Sequence, residues 1–234
     1  HIINAPIGSR LLSKSYRVNF YKIELLQDSL TPPIKFTKQS LEEITEDLQS
    51  IYGNYGHMFR QLFAPVAPHW EFNIYEVVNG QFPEQVEECD AYLATGSKAS
   101  VYDDEEWIRQ SKLFIQELYR KSIKYTGICF GHQLLAESLG GKVEKSIEYG
   151  WNVGTHTFSI HGRQNWMYPF QTHVSLLMMC QDQVVELPEN STVLASLPTC
   201  PIGMFQVGTS ALGIQAHPEF LATYDAELIQ RRTE

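Results

Sequence analysis

The sequence predicts an α/β fold: a three-layer α/β/α domain with a mostly parallel central sheet and added antiparallel strands in the C-terminal half. Up to residue 141, short runs rich in β-forming residues alternate with segments of helical spacing. Strands separated by helices need crossover connections, which are typical of a parallel sheet. Beyond residue 141 several β-rich runs follow one another without a helix between them, which indicates antiparallel neighbours.

In the N-terminal half, the helical segments are marked by their start and stop signals. Ser40 and Glu43 have the spacing of a capping box, so a helix is expected to begin there. Gly53 and Gly56 are expected to interrupt it before a second short helix that ends at Phe63. The other predicted elements of this half are strands at Tyr16–Leu26, Glu71–Val78, Ala91–Thr95 and Lys124–Ile128, and helices at Glu105–Ser122 and Gly131–Leu139.

In the C-terminal half, the pattern changes after the helix stop signal Gly140-Gly141. Five β-rich runs are followed by one helical segment. The predicted strands are Trp151–His161, His173–Cys180, Val193–Leu197, Met204–Val207 and Leu212–Ala216, and the predicted helix is Leu221–Arg231.

Length, composition and charge restrict the classes of protein to which this chain can belong. The 234 residues are 43% hydrophobic and 19% charged, a globular composition. We expect one domain over residues 15–234, with residues 1–14 as an N-terminal extension or tag remnant. The net charge of −9 disfavours binding to nucleic acids and to anionic membranes, since both are negatively charged. No apolar run approaches the roughly 18 residues of a membrane span, so no membrane partner is expected.

The four cysteines show no pairing that indicates a metal site. No C-x-x-C pair occurs and no histidine or carboxylate cluster has ligand spacing, so neither a metal nor a cofactor is predicted. The chain is long enough to fold without disulfides, and a reducing cytoplasm is the simplest expected location. Cys89, Cys180 and Cys200 are interpreted as buried structural thiols.

Cys129 stands in a different context. A short β-run leads into Gly127-Ile-Cys-Phe-Gly131, and a helical segment follows at once, as in a nucleophile elbow with Cys in place of Ser. Side chains at the two glycines would clash across such a sharp turn. We therefore expect Cys129 to be strained and exposed at the carboxyl end of the sheet, where the helix N-terminus stabilises a thiolate. The same geometry aims the N–H of Phe130 at a developing oxyanion.

A general base for this thiol is predicted at His217. It follows the β-run Leu212–Ala216, Pro218 holds it out of a helix, and Glu219 shares its face in an extended segment. A carboxylate in that place orients the imidazole and stabilises its charged form. His132 is expected to support the turn by hydrogen bonding, and His173 either joins the site or caps a strand.

These motifs resemble the class I glutamine amidotransferase family. The resemblance rests on three stretches that together span most of the chain: Gly127–Gln133 with Gly140-Gly141, Gln215–Glu219, and Ala94–Ser97. Within the family, the chain is similar to stand-alone proteins of the GMP-synthase-like and γ-glutamyl peptidase types. The stretches that carry this closer similarity are Ser97–Asp103, Gly150-Trp151 and Asp182–Val184.

The resemblance implies a flavodoxin-like fold and a set of site residues. Cys129, His217 and Glu219 would form the catalytic triad. The second oxyanion N–H would come from Gly96 or Ser97, and the side chain of Gln133 would contact the substrate. Met179 and Cys180 stand where many relatives carry a Ser-His pair, which approaches the bound amide partly through its backbone. These two residues are therefore predicted substrate contacts as well.

Three functions remain open at the level of sequence. The first, which we prefer, is a glutamine amidotransferase that hydrolyses the side-chain amide of glutamine through a γ-glutamyl thioester and supplies ammonia to a separate synthase subunit. The second is a free-standing hydrolase of γ-glutamyl peptides. The third is a non-catalytic binding protein with the same fold, which the complete set of Cys129, His217 and Glu219 argues against.

Overall fold

Helices and strands alternate and then give way to strands, as the sequence pattern predicts. The computed structural model describes residues 35–38 and 46–233. Its α-helices are α1 (Glu46–Tyr52), α2 (Tyr55–Phe63), α3 (Glu106–Arg120), α4 (Phe130–Ser138) and α5 (Ala222–Thr233). Its strands are β1 (Lys35–Lys38), β2 (Ile74–Glu76), β3 (Ala91–Ala94), β4 (Lys124–Ile128), β5 (Lys142–Lys145), β6 (Asn152–Ile160), β7 (His173–Cys180), β8 (Asp182–Glu186), β9 (Ser191–Leu197), β10 (Cys200–Val207) and β11 (Ala211–Ile214).

A nine-stranded mixed sheet forms the centre of the domain, in the order β2-β1-β3-β4-β11-β10-β9-β6-β7. The pairings from β2 through β11 are parallel. The pairings from β11 through β7 are antiparallel, and β5 and β8 form a separate antiparallel pair. The predicted α/β class, with a parallel core and antiparallel strands from the C-terminal half, is confirmed.

Most predicted elements lie within a few residues of their observed bounds. β4 and β7 have the predicted bounds, and α3 and α4 differ from prediction by one or two residues at each end. The apolar periodicity of these elements is clear because one face of each is buried in the protein. In α3, for example, the periodic residues Ile108, Ile115 and Leu118 are at most 2% exposed. Truncating a side chain such as Leu118 to alanine would cost about 2–5 kcal/mol.

Other predictions fail for identifiable reasons. Gly56 does not interrupt a helix but lies in the first turn of α2, because the helix is capped by Asn54, whose side chain accepts a hydrogen bond from the His57 N–H. The break falls at Gly53, which has a φ of +75°. The strand predicted at Glu71–Val78 is only three residues long, because the chain turns into a 3-10 helix closed by Gly80.

Three short strands, β1, β5 and β8, were not predicted, and two predictions fall where the structure is not described. In β5 only Val143 is buried, so its sequence carries almost no alternating apolar signal. The predicted strand at Tyr16–Leu26 and the capping box of Ser40 and Glu43 lie outside the described residues. No helix in the described part of the chain has both the length and the apolar composition that crossing a membrane requires.

Two apolar clusters on opposite faces of the sheet define the three layers. Along β3, Ala91 and Leu93 belong to the cluster beneath α2, whereas Tyr92 and Ala94 belong to the cluster beneath α3 and α4. The alternation is that expected for successive side chains of a strand. A third, smaller cluster joins α1, α2 and α5. The C-terminal helix is therefore packed on the α2 side of the sheet.

The parallel register places three chain segments at one edge of the sheet. Ile128 of β4 is paired with Ile214 of β11, and Gly127 is paired with Ala94 of β3. The residues that follow these three strands therefore emerge side by side at their carboxyl ends, where open α/β sheets bind ligands.

The turn from β4 into α4 depends on the absence of two side chains. A Cβ at Gly127 would lie 2.1 Å from the carbonyl oxygen of Gly131, and a Cβ at Gly131 would lie 2.6 Å from the carbonyl oxygen of Ala94. Both obstacles are backbone atoms, so they cannot move aside as a side chain would. The predicted clash at these glycines is confirmed.

We expect Gly127→Ala to lower the free energy of unfolding by about 3 kcal/mol or more, at the upper end of overpacking costs. Gly80→Ala is a suitable control, because Gly80 has a φ of +74° but open space around its Cα. Its cost should be confined to the strained backbone conformation, about 1–2 kcal/mol. Urea denaturation of both variants checks this; equal losses would contradict the close packing of the turn.

Candidate active site

Cys129 stands at the N-cap of α4 in a strained conformation. Its φ of 54° and ψ of −103° lie in a region that non-glycine residues rarely occupy. Two backbone hydrogen bonds hold Cys129 in this conformation. Its N–H donates to the carbonyl of Ile214 at 2.8 Å, and its carbonyl accepts from the N–H of Gln133. The predicted exposure is wrong, since Cys129 is only 6% exposed. The thiol lies at the bottom of a pocket rather than at the surface.

His217 is positioned by contacts on three sides. Its Nδ1 lies 2.8 Å from Glu219 Oε1, and its ring stacks on Phe220 with centroids 3.9 Å apart. Its backbone N–H donates to the carbonyl of Leu177 in β7 at 2.8 Å. The side chains of His217 and Glu219 are 5% and 0% exposed, so the pair is shielded from water. The imidazole consequently has little freedom to turn away from its neighbours.

The structure brings Cys129, His217 and Glu219 together. The His217 ring adjoins Cys129, because His217 Nε2 and Cys129 Cβ each lie 3.7 Å from the position that a Cβ at Gly96 would occupy, and both residues line one pocket. The other ring nitrogen, Nδ1, is the one that meets Glu219. Burial by itself lowers the pKa of His217, but the negative charges of Glu219 and of a Cys129 thiolate raise it to about 10. A charged imidazole is therefore favoured whenever the thiol is ionised.

The loop after β3 also borders the place where Cys129 and His217 meet. A Cβ at Gly96 would lie 2.9 Å from His217 Cε1 and 3.7 Å from Cys129 Cβ, so the backbone of Gly96 borders the reacting groups directly. Ser97 Oγ accepts a hydrogen bond from the N–H of Ala99 at 2.9 Å, which shapes the loop. Phe130 is the first residue of α4, and the first N–H groups of a helix have no intrahelical partner. Both predicted sources of oxyanion N–H groups thus adjoin Cys129.

A pocket lies over Cys129 and His217, with about 380 Å³ of free space that includes open solvent. The pocket is bordered by the loop after β3 and by groups from α2, β7 and α5, as well as by Cys129 and His217. The residues that line it are Tyr55, Gly96, Ser97, Lys98, Cys129, Met179, His217, Phe220 and Leu228.

The three predicted substrate contacts lie in different places. Met179 lines the pocket. Gln133 is buried beneath it, where Nε2 donates to the carbonyl of Asp182 at 2.7 Å and lies 3.2 Å from Gln215 Oε1. Cys180 belongs to the apolar core together with Cys129, and burial raises the pKa of the Cys180 thiol well above its usual value. Neither Gln133 nor Cys180 is among the residues that line the pocket.

Four lining residues were not singled out from sequence. Lys98 and Phe220 are each one residue from a predicted site residue, and that proximity was the available signal. Tyr55 and Leu228 come from α2 and α5, and no local motif marks them. Burial raises the pKa of Tyr55 well above its usual value, and the nearby Tyr224 and Glu219 add to the effect, so the phenol stays protonated.

The other histidines lie away from the pocket. His132 is fully buried against Phe205, and burial lowers its pKa to about 3. Its ring nitrogens approach the backbone of Gly213 and Ile202 but form no hydrogen bond of good geometry, so the predicted role in supporting the turn is not borne out. His173 begins β7, is exposed and contacts Thr172, which places it at a strand end.

The thiols and carboxylates do not form a metal centre in the part of the chain that is described. No group of three or more His, Cys, Asp or Glu side chains among residues 35–38 and 46–233 is arranged to hold a metal ion. All four cysteines are free and buried. The titratable side chains that line the pocket are those of Cys129, His217, Lys98 and Tyr55.

Two relatives illustrate the similarity of the chain to known proteins. Gamma-glutamyl peptidase 3 from Arabidopsis thaliana is 30% identical over 195 residues, which cover 80% of this chain and 77% of that protein. A GMP synthase [glutamine-hydrolyzing] from Pseudomonas putida is 34% identical over 119 residues, which cover 46% of this chain and 22% of that protein.

The fold has solved counterparts as well. The crystal structure of a glutamine amidotransferase from Thermotoga maritima matches with a TM-score of 0.66 at 20% identity, covering 86% of each chain. Residues 65–233 match the family described as glutamine amidotransferase class-I, and this span includes both the Cys129 turn and the His217 segment. The chain therefore belongs to the class I glutamine amidotransferase family.

Proposed function

We propose that the chain is a cysteine amidohydrolase that cleaves the amide bond at the γ-carbonyl of a glutamyl group. The observation that carries the proposal is the meeting of a strained Cys129 with a His217–Glu219 pair at one edge of the sheet. Family membership supports the reaction class. A structural role alone would not require an ionisable, water-shielded pair beside a strained thiol.

In the first half of the reaction, the Cys129 sulfur attacks the γ-carbonyl carbon and a C–S bond forms. The carbonyl electrons move onto the oxygen, where the N–H of Phe130 and that of Gly96 or Ser97 stabilise the negative charge. Each such donor is typically worth on the order of 10²–10³ in rate. His217 then gives its proton to the leaving nitrogen, the C–N bond breaks, and a γ-glutamyl thioester remains.

In the second half, water attacks the thioester. His217 now takes a proton from the water, the oxyanion forms again at the same N–H groups, and the C–S bond breaks. Glutamate leaves with the new carboxylate, and the Cys129 thiolate and protonated His217 are restored. Glu219 keeps one ring nitrogen occupied throughout, so the other always faces the reacting atoms.

Two candidate activities differ in the amine that leaves in the first half of the reaction. Similarity to a γ-glutamyl peptidase that extends over 80% of this chain favours a peptide or other amine as leaving group, released by the chain acting alone. The second candidate is hydrolysis of glutamine for a separate synthase, and the similarity to a GMP synthase supports it over a shorter stretch.

Partner dependence separates these candidates experimentally. The purified chain is incubated alone with γ-glutamylglycine and, in parallel, with glutamine, and glutamate release is measured in both. Rapid release from the dipeptide by the chain alone supports the peptidase. Slow release from both substrates, raised only when a synthase is added, supports the ammonia-supplying role.

We expect Cys129→Ala to lower kcat for glutamate release by on the order of 10⁴-fold or more, as removal of other triad nucleophiles does. Intact-protein mass spectrometry after rapid acid quench should detect a γ-glutamyl adduct in the wild type and none in the variant. Peptide mapping should place the adduct on Cys129.

The control for this experiment is Cys89→Ala. Cys89 is also buried, but it lies in the apolar cluster on the opposite face of the sheet. Its replacement should leave both the adduct and the rate intact. Equal rates from the wild type and Cys129→Ala would refute the assigned nucleophile.

We expect Glu219→Gln to lower kcat/KM by on the order of 10²–10⁴-fold and to move the alkaline limb of the pH profile to lower pH. The sign follows from the pKa of His217, which the Glu219 charge raises. Without that charge the imidazole loses its proton at a lower pH, so the reactive ion pair is lost earlier.

The control is Glu227→Gln, an exposed carboxylate on α5. Both variants are measured across pH 6–10, with buffer exchange at constant ionic strength. An alkaline limb that is the same in Glu219→Gln, Glu227→Gln and the wild type would show that Glu219 does not set the charge state of His217.

A further inference from the structure

We propose that Asp182 is a positioning residue that links the two backbone segments expected to supply the oxyanion N–H groups. Its side chain contacts the loop after β3, and its backbone carbonyl contacts the first turn of α4. This inference rests on the proposed function, since it concerns the step in which the oxyanion forms. Asp182 is not among the residues that line the pocket, so it acts through those two segments rather than on the substrate.

The side chain of Asp182 meets the loop after β3 at Ser100. Ser100 Oγ donates to Asp182 Oδ2 at 2.5 Å, across a separation of 82 residues in the sequence. A hydrogen bond to a carboxylate is roughly twice as strong as one between neutral groups. The contact is partly buried, so water competes with it less than at an exposed surface. The start of β8 is therefore joined to the loop by a strong hydrogen bond.

Hydrogen bonds within the loop connect this contact to the reacting groups. The Ser100 N–H donates to Asp103 Oδ2 at 2.8 Å, and the Asp103 N–H donates to the Ser100 carbonyl at 2.9 Å. On the other side of Ser100, the Ala99 N–H donates to Ser97 Oγ at 2.9 Å. Ser97 directly follows Gly96, whose backbone borders the thiol and the imidazole. A displacement at Ser100 would therefore be passed on to the predicted oxyanion N–H of this loop.

The backbone of Asp182 contacts the other segment. Gln133 Nε2 donates to the Asp182 carbonyl at 2.7 Å, and the Gln133 N–H donates to the carbonyl of Cys129, which directly precedes Phe130. The same Nε2 lies 3.2 Å from Oε1 of Gln215, in the segment after β11. One residue thus contacts the loop through its carboxylate and the turn at the nucleophile through its carbonyl.

This contact gives a role to two sequence stretches that the triad leaves unexplained. Ser97–Asp103 and Asp182–Val184 carry the closer similarity within the family, and neither contains a triad residue. Ser100 and Asp182 bring the two stretches into direct contact. The pairing of these stretches is therefore explained if they fix the loop that borders the nucleophile.

A small shift of the loop should be enough to slow the reaction. Val101 is fully buried in the apolar cluster beneath α3 and α4, so it also anchors the loop. Loss of the Asp182 contact should therefore displace the loop rather than release it. Because a misplacement of about 1 Å can cost on the order of 10²-fold in rate, we expect a smaller displacement to cost about tenfold.

The first test compares a reaction that forms an oxyanion with one that does not. Hydrolysis is measured with γ-glutamylglycine or glutamine, whichever the wild type cleaves faster, and alkylation of Cys129 by iodoacetamide displaces iodide without forming an oxyanion. We expect Ser100→Ala and Asp182→Ala each to lower kcat about tenfold, with KM within about twofold and the alkylation rate constant unchanged. Ser100→Thr should retain kcat, because it retains the hydroxyl.

The double variant tests whether the two residues act through one contact. Ser100→Ala combined with Asp182→Ala should lower kcat about as much as either change alone, rather than by the product of the two effects. The matched controls are Ser175→Ala, which removes a hydroxyl contact with Thr157 between β6 and β7, and Glu186→Gln, which removes an exposed carboxylate at the other end of β8. Both controls should have the kcat of the wild type.

The third test follows the loop without turnover. Hydrogen–deuterium exchange is measured by mass spectrometry on peptides that cover residues 96–103, where the N–H groups of Ala99, Ser100 and Asp103 are hydrogen bonded. Exchange in this segment should be about fivefold faster or more in Ser100→Ala and Asp182→Ala than in the wild type. The Ser175→Ala control should exchange at the wild-type rate.

The outcomes separate this inference from the proposed function. A wild-type kcat in Ser100→Ala and Asp182→Ala, a parallel fall of kcat and of the alkylation rate, or effects that multiply in the double variant would overturn the positioning role. If the wild type hydrolyses neither substrate while exchange of the loop still depends on Ser100 and Asp182, the proposed function fails and the link between Asp182 and the loop stands.

Discussion

The site depends on the register of three parallel strands. Because β3, β4 and β11 are paired so that their carboxyl ends coincide, Gly96, Cys129 and His217 reach the same point from distant parts of the sequence. A shift of one residue in any of these pairings would turn the following side chain to the other face of the sheet. The backbone pairing of these three strands therefore determines which side chains meet at the site.

Local patterns predicted the parts of the molecule that local forces determine. The turn at Cys129 was predictable because its glycines, its strand and its helix lie within a few residues of one another, and the backbone contacts at Gly127 and Gly131 explain why no other residue fits. His217 and Glu219 were predictable together because they are two residues apart at the end of an apolar run.

What sequence patterns missed is what tertiary packing determines. Tyr55 and Leu228 reach the pocket only because α2 and α5 pack together on one face of the sheet. β5 was missed because a four-residue edge strand with one buried side chain has no periodicity to detect. Gly56 was misinterpreted as a breaker because the start of α2 is set by the cap at Asn54, and Gly56 falls within the first turn after it.

The hydrogen bond from the His217 N–H to the Leu177 carbonyl links the candidate site to the antiparallel half of the sheet. Leu177 belongs to β7, which stands at the far end of the sheet order from β11, so the antiparallel half must curl round until its last strand meets the chain beyond β11. The imidazole of His217 is therefore held beside Cys129 only where β7 has closed against the segment after β11. The parallel strands alone would present the Cys129 thiol without this support for its imidazole neighbour, so the arrangement of the two side chains depends on the whole sheet.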